Sequence, residues 1–267
     1  AEEASRNGDL DTKYSELKPI ALILNDRNRQ IEQNMKEIRA EKEAVERAKQ
    51  SKDELVANIT HEMNTPLTSI KGFSELLLRE GLSAEQKEQA LLTINRQSER
   101  LSDLVASIIH YSEIDNDELP SYEVSLSALA EETIEEFLPR IREKNLTLTA
   151  DIAPGVTLNS RQERITAILE NLIGNAIRYN KEGGALRISV SGARSPVLVV
   201  EDTGIGIAEE NLDKIFSRFF TVDKSHSGKG GGFGLGLAVV KKLCTRFDWR
   251  ITVESKEGEG TKFTVYF

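Results

Sequence analysis

The longest run of regularly spaced apolar residues ends just before residue 80. Between Leu55 and Leu77 apolar residues recur in steps of three and four, which predicts one apolar face of a long helix. Farther upstream, from Leu17 to Val45, an apolar residue returns at every seventh position among many Glu, Lys and Arg residues. This heptad pattern predicts a parallel coiled coil between two copies of the chain, with a single solvated helix as the alternative.

A second helix is expected after Gly81 and Leu82, which interrupt the first pattern. Ser83 and Gln86 have the spacing of a capping box, so the second helix should begin there. Its apolar face comprises Leu91, Ile94, Leu101, Leu104, Val105, Ile108 and Tyr111. Two long helices joined by a short turn form an antiparallel hairpin. One hairpin cannot enclose both apolar faces but two hairpins in a four-helix bundle can, so we expect a homodimer.

Short strands alternate with helices beyond a polar break at residues 116–121. Apolar alternation and turn residues predict strands over residues 122–126, 146–152, 186–190, 197–200, 251–255 and 262–267. Helical spacing predicts helices over residues 127–143, 161–179 and 238–247. The second half is therefore expected to be a mixed α/β domain of about 145 residues, which is within the usual range for one domain.

Composition narrows the function classes. The 267-residue chain has a net charge of −9, which argues against a dedicated nucleic-acid-binding protein with a basic face. Cys244 is the only cysteine, so an internal disulfide is excluded, and its apolar helical surroundings predict a core residue. No apolar run approaches the roughly 20 residues of a membrane helix. Because the chain begins at Ala1 rather than Met, we expect it to be part of a longer protein.

His61 is the first candidate for chemistry. It lies between Ile59 and Met63, off the apolar stripe of the first helix, where it can meet another molecule. The Glu62 carboxylate can accept the proton of one ring nitrogen and leave the other nitrogen nucleophilic. Pro66 should kink the helix one turn beyond the histidine. An ordinary surface histidine is the alternative interpretation of this stretch taken alone.

Two further segments have polar residues suited to a nucleotide. Asn171 and Asn175 share a helix face, and amide oxygens are suitable ligands for Mg²⁺, although local hydrogen bonding is the alternative. Asp202, directly after a strand, can accept a hydrogen bond from an exocyclic amine. Gly204 and Gly206 then allow a ligand to approach the backbone, although a simple tight turn has the same composition.

Glycines at 230–236 open the last predicted helix. Amide hydrogens and the positive end of the helix dipole make such a helix start an anion site. A dinucleotide fingerprint is excluded because no strand closely precedes these glycines and no βαβ unit with a following acidic residue is present. The aromatic residues at 216–220 and the polar run at 221–229 suit a lid over a nucleotide.

Five motifs occur here in the order found in bacterial sensor histidine kinases of two-component systems, which the sequence resembles over residues 51–267. In chain order they resemble the histidine box at 61–67, the asparagine box at 171–179, the first glycine box at 202–206, the phenylalanine box at 216–220 and the second glycine box at 232–236. The resemblance implies a multidomain α and α+β fold. A dimeric four-helix bundle would precede an α/β sandwich ATP-binding domain with a mixed sheet, as in gyrase-type ATPases. Its domains would be an N-terminal signalling helix or coiled coil over 1–50, a dimerisation and histidine phosphotransfer domain over 51–117 and a catalytic ATP-binding domain over 121–267.

The resemblance also implies roles for individual residues. His61 would be phosphorylated, Glu62 would be its acid–base partner, and Thr65 would help to dephosphorylate the partner protein. Asn175 would hold Mg²⁺ with support from Asn171. The remaining nucleotide contacts would come from Arg178 on phosphate, Tyr179, Asp202 on the adenine amine, and Gly204, Gly206, Gly232, Gly234 and Gly236, which shape the pocket and lid. Two positions depart from the family pattern, because Asn64 stands where lysine or arginine is usual and Arg178 stands where lysine is more frequent.

Asn171 also bears on the choice between phosphoryl transfer and hydrolysis. In gyrase-type ATPases a glutamate that activates water sits four residues before the metal-binding asparagine, where this chain has Asn171. Glu170 is adjacent but lies about 100° around the helix. Without a base that activates water, the γ-phosphoryl group should be transferred to His61 and not hydrolysed. Mg²⁺, the helix start near Gly236 and a cation such as Arg178 or Arg218 could neutralise its charge.

The sequence thus predicts an ATP-dependent protein-histidine kinase that phosphorylates itself on His61 and passes the phosphoryl group to an aspartate of a response regulator. A phosphatase acting through Thr65 and a nucleotide-binding scaffold that only relays conformation are the alternatives. The family often has an upstream membrane anchor or sensor. We therefore expect this chain to be the cytoplasmic portion of a membrane-anchored protein, with ATP and Mg²⁺ as cofactors and no nucleic-acid partner.

Overall fold

The structure, a computed structural model, describes residues 18–192, 194–221 and 233–267. The chain divides into two compact units, one ending at Thr60 and the other comprising His61–Phe267. The first helix, α1, spans Lys18–Leu77. None of the described helices combines the length and the apolar character needed to cross a bilayer.

The heptad residues lie on the solvent-exposed surface of α1. Leu24, Ile31, Ile38 and Val45 are 45–63% exposed, so the helix itself supplies no cover for this stripe. Helix formation is therefore confirmed, and pairing as a coiled coil stays a prediction. Pro66 is buried inside α1, which continues to Leu77, so the proline does not end the helix.

The second helix, α2, spans Ala84–Glu113 and begins as predicted. The Ser83 hydroxyl accepts a hydrogen bond from the Gln86 amide at 3.1 Å, and the Gln86 side chain accepts one from the Ser83 amide at 3.0 Å. This reciprocal capping box satisfies two amides that the first turn leaves without helical partners. The predicted helical hairpin is confirmed.

The second half of the chain contains seven strands and three longer helices among its described residues. In chain order they are β1 Tyr122–Ser125, α3 Leu126–Glu143, β2 Thr147–Ile152, β3 Thr157–Ser160, α4 Gln162–Arg178, β4 Ala185–Ser191, β5 Val197–Asp202, α5 Gly236–Arg246, β6 Arg250–Lys256 and β7 Gly260–Tyr266. Short 3₁₀ turns at Ile114–Asn116 and Glu209–Asn211 complete the set. Strand β3 was not predicted, because its four residues are too few and too polar to show a period.

The main sheet is mixed, with strand order β2-β4-β5-β7-β6. Only β2 and β4 pair in parallel, and the remaining neighbours are antiparallel. Alternate residues of β4 and β5 point into the core: Leu186, Ile188, Val190, Leu198 and Val200 are at most 1% exposed. Helices α3, α4 and α5 cover this face, since they pack on one another and on the strands. The fold agrees with the predicted α/β sandwich.

A buried arginine ties the segment after α2 to this domain. Arg164 on α4 is 4% exposed, and its Nε and Nη2 atoms lie 2.6 and 2.9 Å from the two carboxylate oxygens of Asp117. It also donates to the Ser121 hydroxyl and the Leu119 carbonyl. The hydrogen bond from Arg164 lowers the pKa of the Asp117 carboxyl. The predicted polar break is thus an anchored connection.

Cys244 lies in the core, as predicted. It is 1% exposed on α5, and burial raises the pKa of its thiol to about 12. A thiol with such a pKa remains protonated at neutral pH, which fits a structural role.

Candidate functional site

The end of β5 carries the buried carboxyl group expected from the sequence. Asp202 is 8% exposed, and its Oδ1 accepts a hydrogen bond from the Gly204 amide at 2.8 Å. Burial raises the pKa of this carboxyl to about 6, against the lowering effect of hydrogen bonds from the Gly204 and Thr261 amides. Such a carboxylate can accept a hydrogen bond from the amine of a bound base.

A small cavity of about 70 Å³ adjoins Asp202. Its walls are mostly apolar, and the two polar side chains nearest the sheet are Asp202 and Thr261. The apolar walls suit the faces of a flat aromatic base, and the carboxyl suits its edge. The apolar walls of the cavity are formed by Ala176, Ile205, Ile207, Ile215, Phe220, Leu237 and Phe263.

Gly206 shapes the loop beside this cavity. Its φ is +65°, and a Cβ there would overlap the Lys256 carbonyl, so only glycine fits without displacing β6. A Cβ added at Gly204 would likewise overlap the Tyr179 carbonyl. Gly204 is not among the described residues that line the cavity, whereas Gly206 is.

A larger cavity of about 380 Å³ joins α4, the start of α5 and one side of α2. Asn171, Asn175, Arg178 and Tyr179 line it together with Gly234 and Gly236. Asn175 and Tyr179 also line the small cavity, so the two cavities are adjacent at these residues. A molecule with a base in one cavity could extend a charged tail into the other.

The start of α5 offers amide hydrogens to this larger cavity. Among the described residues, no side chain caps the helix at Leu235, so none of these residues supplies a side-chain acceptor for the first-turn amides. A Cβ at Gly236 would collide with the Asn171 amide, so glycine lets the helix start close to α4. Together with the helix dipole, these amides favour an anion. Gly232 lies outside the described residues.

Asn171 and Asn175 differ in how they are bonded. Asn171 donates to the Ala167 carbonyl at 2.7 Å, which holds its amide in place. Within the part of the chain that the structure describes, the Asn175 side chain makes no hydrogen bond, although its backbone carbonyl caps α4. Its amide oxygen can therefore meet a cation or a phosphate-bound water.

Lys144 binds the backbone carbonyls at the C-terminal end of α4. Its ammonium group donates to the carbonyls of Ile177 at 2.9 Å and Arg178 at 2.7 Å. These contacts satisfy carbonyls at the helix end and hold Arg178 at the cavity. Desolvation lowers the pKa of the Lys144 ammonium group.

The histidine site lies on α1. The His61 side chain is 82% exposed, and its Nδ1 atom lies 3.8 Å from Glu62 Oε1. The Nε2 side of the ring is thereby left to solvent. Thr65 is exposed one turn later, and its hydroxyl donates to the His61 carbonyl at 3.3 Å. His61 and Thr65 lie one turn apart on the same side of α1, Glu62 directly follows His61, and none of the three is among the described residues lining either cavity.

Arg218 lies beside Tyr111 of α2. Its guanidinium carbon lies 5.8 Å from the centre of the Tyr111 ring. It is not among the described residues that line the two cavities, whereas Arg178 lines the larger one. The sequence shows that Arg218 is flanked by Phe216, Phe219 and Phe220, but it does not show which way the Arg218 side chain points.

Comparison with protein families matches both halves of this arrangement. Residues 51–117 match the His Kinase A (phospho-acceptor) domain, and residues 160–267 match the histidine kinase-, DNA gyrase B- and HSP90-like ATPase family. The chain belongs to the sensor histidine kinase family. This agrees with the family resemblance seen in the sequence.

Similar sensor histidine kinases are found in distant bacteria. YclK of Bacillus subtilis is 28% identical over 233 residues, and RppB of Synechocystis is 33% identical over 221 residues. These alignments cover 86% and 81% of this sensor kinase chain but 49% of each relative. The chain therefore spans about half the length of these relatives.

A solved structure supports the same architecture. The histidine kinase ThkA in complex with the response regulator protein TrrA superimposes with a TM-score of 0.66 at 25% identity. The match covers 80% of this chain and 60% of the ThkA chain. The helical hairpin followed by a mixed-sheet α/β domain is thus the fold of a histidine kinase.

Several residues at the sensor kinase site were missed by sequence reasoning. Arg96, Arg100 and Asp103 of α2 line the larger cavity, and Phe233 lies with them. Arg96 and Arg100 are four residues apart on one helix face, a spacing that the sequence does show. What it does not show is that this face of α2 meets α4 and α5.

Proposed function

We propose that this chain binds ATP, transfers the γ-phosphoryl group to His61 and passes it to an aspartate of a response regulator. One observation carries the proposal. An exposed histidine is followed by a half-buried glutamate on one helix, and two adjacent cavities lie at the α/β domain, the larger of which is lined also by α2. The smaller, apolar cavity is lined by a buried carboxyl, and the larger cavity is lined by the start of α5, which no described side chain caps. The ATPase family match supports ATP as the nucleotide.

In the first step His61 attacks through Nε2, because Nδ1 faces Glu62. A bond forms between Nε2 and the γ-phosphorus, and the bond from that phosphorus to the β–γ bridging oxygen breaks. ADP leaves with the electron pair, and Glu62 accepts the proton from Nδ1. In the second step an aspartate oxygen of the regulator attacks the same phosphorus, and the nitrogen–phosphorus bond breaks.

The residues around the larger cavity fit a magnesium ion bound with the nucleotide. Asn175 supplies an amide oxygen, and Asn171 lies one turn before it. Among the described residues, no group of three or more His, Cys, Asp or Glu side chains could hold a metal. The ion would therefore depend on the phosphates for further ligands, as Mg²⁺ commonly does. It would neutralise phosphate charge during transfer.

The position of Glu170 supports phosphoryl transfer to His61 over hydrolysis of ATP. It lines a neighbouring cavity of about 720 Å³ that shares Asn171, Asn175 and Arg178 with the 380 Å³ cavity, but Glu170 itself is not among the described residues that line the 380 Å³ cavity. Desolvation and the neighbouring Glu136 raise the pKa of its carboxyl. A carboxyl group in this place is poorly situated to activate water at the γ-phosphate.

The exposed apolar stripes support a homodimer with a coiled coil over residues 1–50, a phosphotransfer bundle over 51–117 and a catalytic domain over 121–267. Ile31, Leu92 and Ile109 are more than half exposed, which is unfavourable unless a second copy covers them. A cytoplasmic location and a membrane anchor in the full-length protein stay predictions from the family resemblance.

Thr65 supports a second activity on the same regulator. Its exposed position one turn from His61 suits contact with a phosphorylated partner docked on this face. We expect Thr65→Ala to abolish dephosphorylation of the regulator and to spare autophosphorylation. Loss of both activities would contradict a phosphatase role that is specific to Thr65.

The first experiment is incubation with γ-labelled ATP and Mg²⁺. The parent chain should acquire an acid-labile, alkali-stable label, and His61→Gln should acquire none. His110→Gln is the matched control, because it removes the histidine of α2 and should leave labelling intact. A labelled His61→Gln chain, or an unlabelled parent that binds ATP, would contradict the proposal.

A further inference from the structure

We infer that Arg100 of α2 contacts the γ-phosphate of bound ATP and in doing so releases Glu62 to act on His61. This inference rests on the proposed function for the nucleotide and histidine sites. It assigns to α2 a direct part in nucleotide recognition, in addition to packing against α1.

Arg100 lies between the two parts of the site. Its Nη2 atom is 3.8 Å from Glu62 Oε2, while the other carboxylate oxygen of Glu62 is 3.8 Å from His61 Nδ1. On its other side, the guanidinium carbon is 5.4 Å from the centre of the Phe233 ring. The side chain is 19% exposed and lines the larger cavity. One side chain therefore spans from the histidine's acid–base partner to the nucleotide cavity.

The position of α2 indicates that the γ-phosphate is the phosphate nearest to Arg100. A base bound at Asp202 would direct its phosphates past Asn175 into the larger cavity. No described residue of α2 lines the small cavity around Asp202, although six line the larger one. The phosphate nearest α2 is therefore the one farthest from the base.

The contacts of Arg100 can be exchanged. A separation of 3.8 Å from Glu62 is longer than a hydrogen bond, so this ion pair is loose. A phosphate accepts two parallel hydrogen bonds from a guanidinium group, and such charge-assisted pairs are among the stronger ones in proteins. When Arg100 turns to phosphate, the Glu62 carboxylate loses its competing cation and is left to His61.

Other charged groups surround the same cavity. Arg96 and Arg178 are further cations, and Glu99 and Asp103 are anions. Of the described residues, Arg100 alone both lines the cavity and forms an ion pair with Glu62. This double position distinguishes it from Arg96, which lies one turn earlier on the same helix.

Calorimetric binding of ATP and ADP to the full chain tests the phosphate contact. Arg100→Gln should lower affinity for ATP about tenfold or more and leave affinity for ADP nearly unchanged, because only ATP has the γ-phosphate. Arg100→Lys should recover part of the preference. Lys87→Gln, which removes an exposed cation from the same helix, is the matched control and should change neither affinity.

A structural role for Arg100 would give a different result. It would weaken ATP and ADP binding equally, and that outcome overturns the inference. The inference is also overturned if Arg96→Gln loses the preference for ATP over ADP and Arg100→Gln keeps it. Thermal unfolding followed by circular dichroism, which reports on the helical part, verifies that each variant is folded. If Arg100→Gln does not fold, the partial loss of ATP preference expected in Arg100→Lys decides the question.

Glu62→Gln tests the exchange between the two partners. This variant should label slowly but bind ATP at least as tightly as the parent, because Arg100 has lost a competing carboxylate. A loss of ATP affinity equal to that in Arg100→Gln would overturn the exchange. These binding measurements do not require labelling, so an unlabelled parent with an Arg100-dependent ATP preference would contradict the proposed function alone.

Discussion

The helical first part and the α/β domain use apolar residues at similarly regular spacing, but they differ in what covers those residues. In β4 and β5 the inward side chains are at most 1% exposed beneath α3, α4 and α5. The heptad residues of α1 are 45–63% exposed, and Leu91 and Leu92 of α2 are 58% and 59% exposed. The domain encloses its own core, whereas the heptad stripe of α1 and part of the apolar surface of α2 face outward.

This difference teaches where each part obtains its stability. Burying a leucine or isoleucine side chain contributes about 1.5–3 kcal/mol relative to leaving it exposed. The α/β domain gains this within one chain. The helices can gain it from a second copy, which agrees with their proposed role as the part that dimerises and receives signals.

Matched leucine substitutions test the comparison most strongly. Leu172→Ala in α4, where the side chain is 0% exposed, should lower the free energy of unfolding of the α/β domain by about 2–5 kcal/mol. Leu92→Ala should change the same transition by less than about 0.5 kcal/mol. The reporter is Trp249, the only tryptophan, which packs against Phe247 and Phe267. If the two substitutions lowered the stability of the α/β domain equally in urea, the difference proposed between the two parts would be refuted.

Dilution distinguishes the two parts next. If the helices are stabilised by a second copy, each tenfold dilution should reduce their apparent stability by about 1.4 kcal/mol. The Trp249 transition should keep its midpoint, since the α/β core is enclosed within one chain. Circular dichroism and fluorescence recorded on the same samples measure both. A helical transition that does not depend on concentration would argue against the homodimer.

Asp202 predicts a pH effect confined to the α/β domain. An adenine amine would donate to the ionised carboxyl, so nucleotide affinity should fall as the pH drops below about 6, by up to about tenfold per unit. Binding near pH 5.5 should release a proton, measurable by calorimetry in buffers of different ionisation enthalpy. Asp202→Asn should bind weakly without this pH dependence. An affinity that is flat between pH 7 and pH 5 would contradict the assignment.

The same carboxyl has the opposite effect on folding. Its folded pKa of about 6 exceeds the usual 3.8, so the folded state binds its proton more tightly than the unfolded state does. This contribution to stability is fully present below pH 3.8 and is lost as the pH rises through about 6. In the absence of nucleotide, Asp202→Asn should remove this component from the pH dependence of unfolding.

The smallest expected effect concerns the helical hairpin. Ser83→Ala removes the capping box and should reduce the stability of the helical part by about 1 kcal/mol. Ser102→Ala is the control, because its hydroxyl donates to the Ser98 carbonyl one turn back and caps no helix among the described residues. Thermal unfolding followed by circular dichroism compares the two. A larger loss in Ser102→Ala would show that the cap does not set the start of α2.

The sequence by itself determined the local elements and the order of the motifs. The capping box at Ser83, the strand that ends at Asp202 and the helix that opens at Gly236 all depend on residues within a few positions of one another. Helical and strand periods and turn residues act over such short ranges, so they can be recognised without a structure. The family resemblance then indicated which polar residues would belong to one nucleotide site.

Only the tertiary structure decided how distant residues meet. Asp117 and Arg164 are 47 positions apart, and Tyr111 and Lys242, which bond at 2.8 Å, are 131 apart. The place of Arg218 beside Tyr111, and of Arg100 between Glu62 and Phe233, also depends on packing between separate elements. Side-chain direction at such contacts follows from the burial and pairing of whole faces. No short segment contains that information, because each face is completed by residues far along the chain.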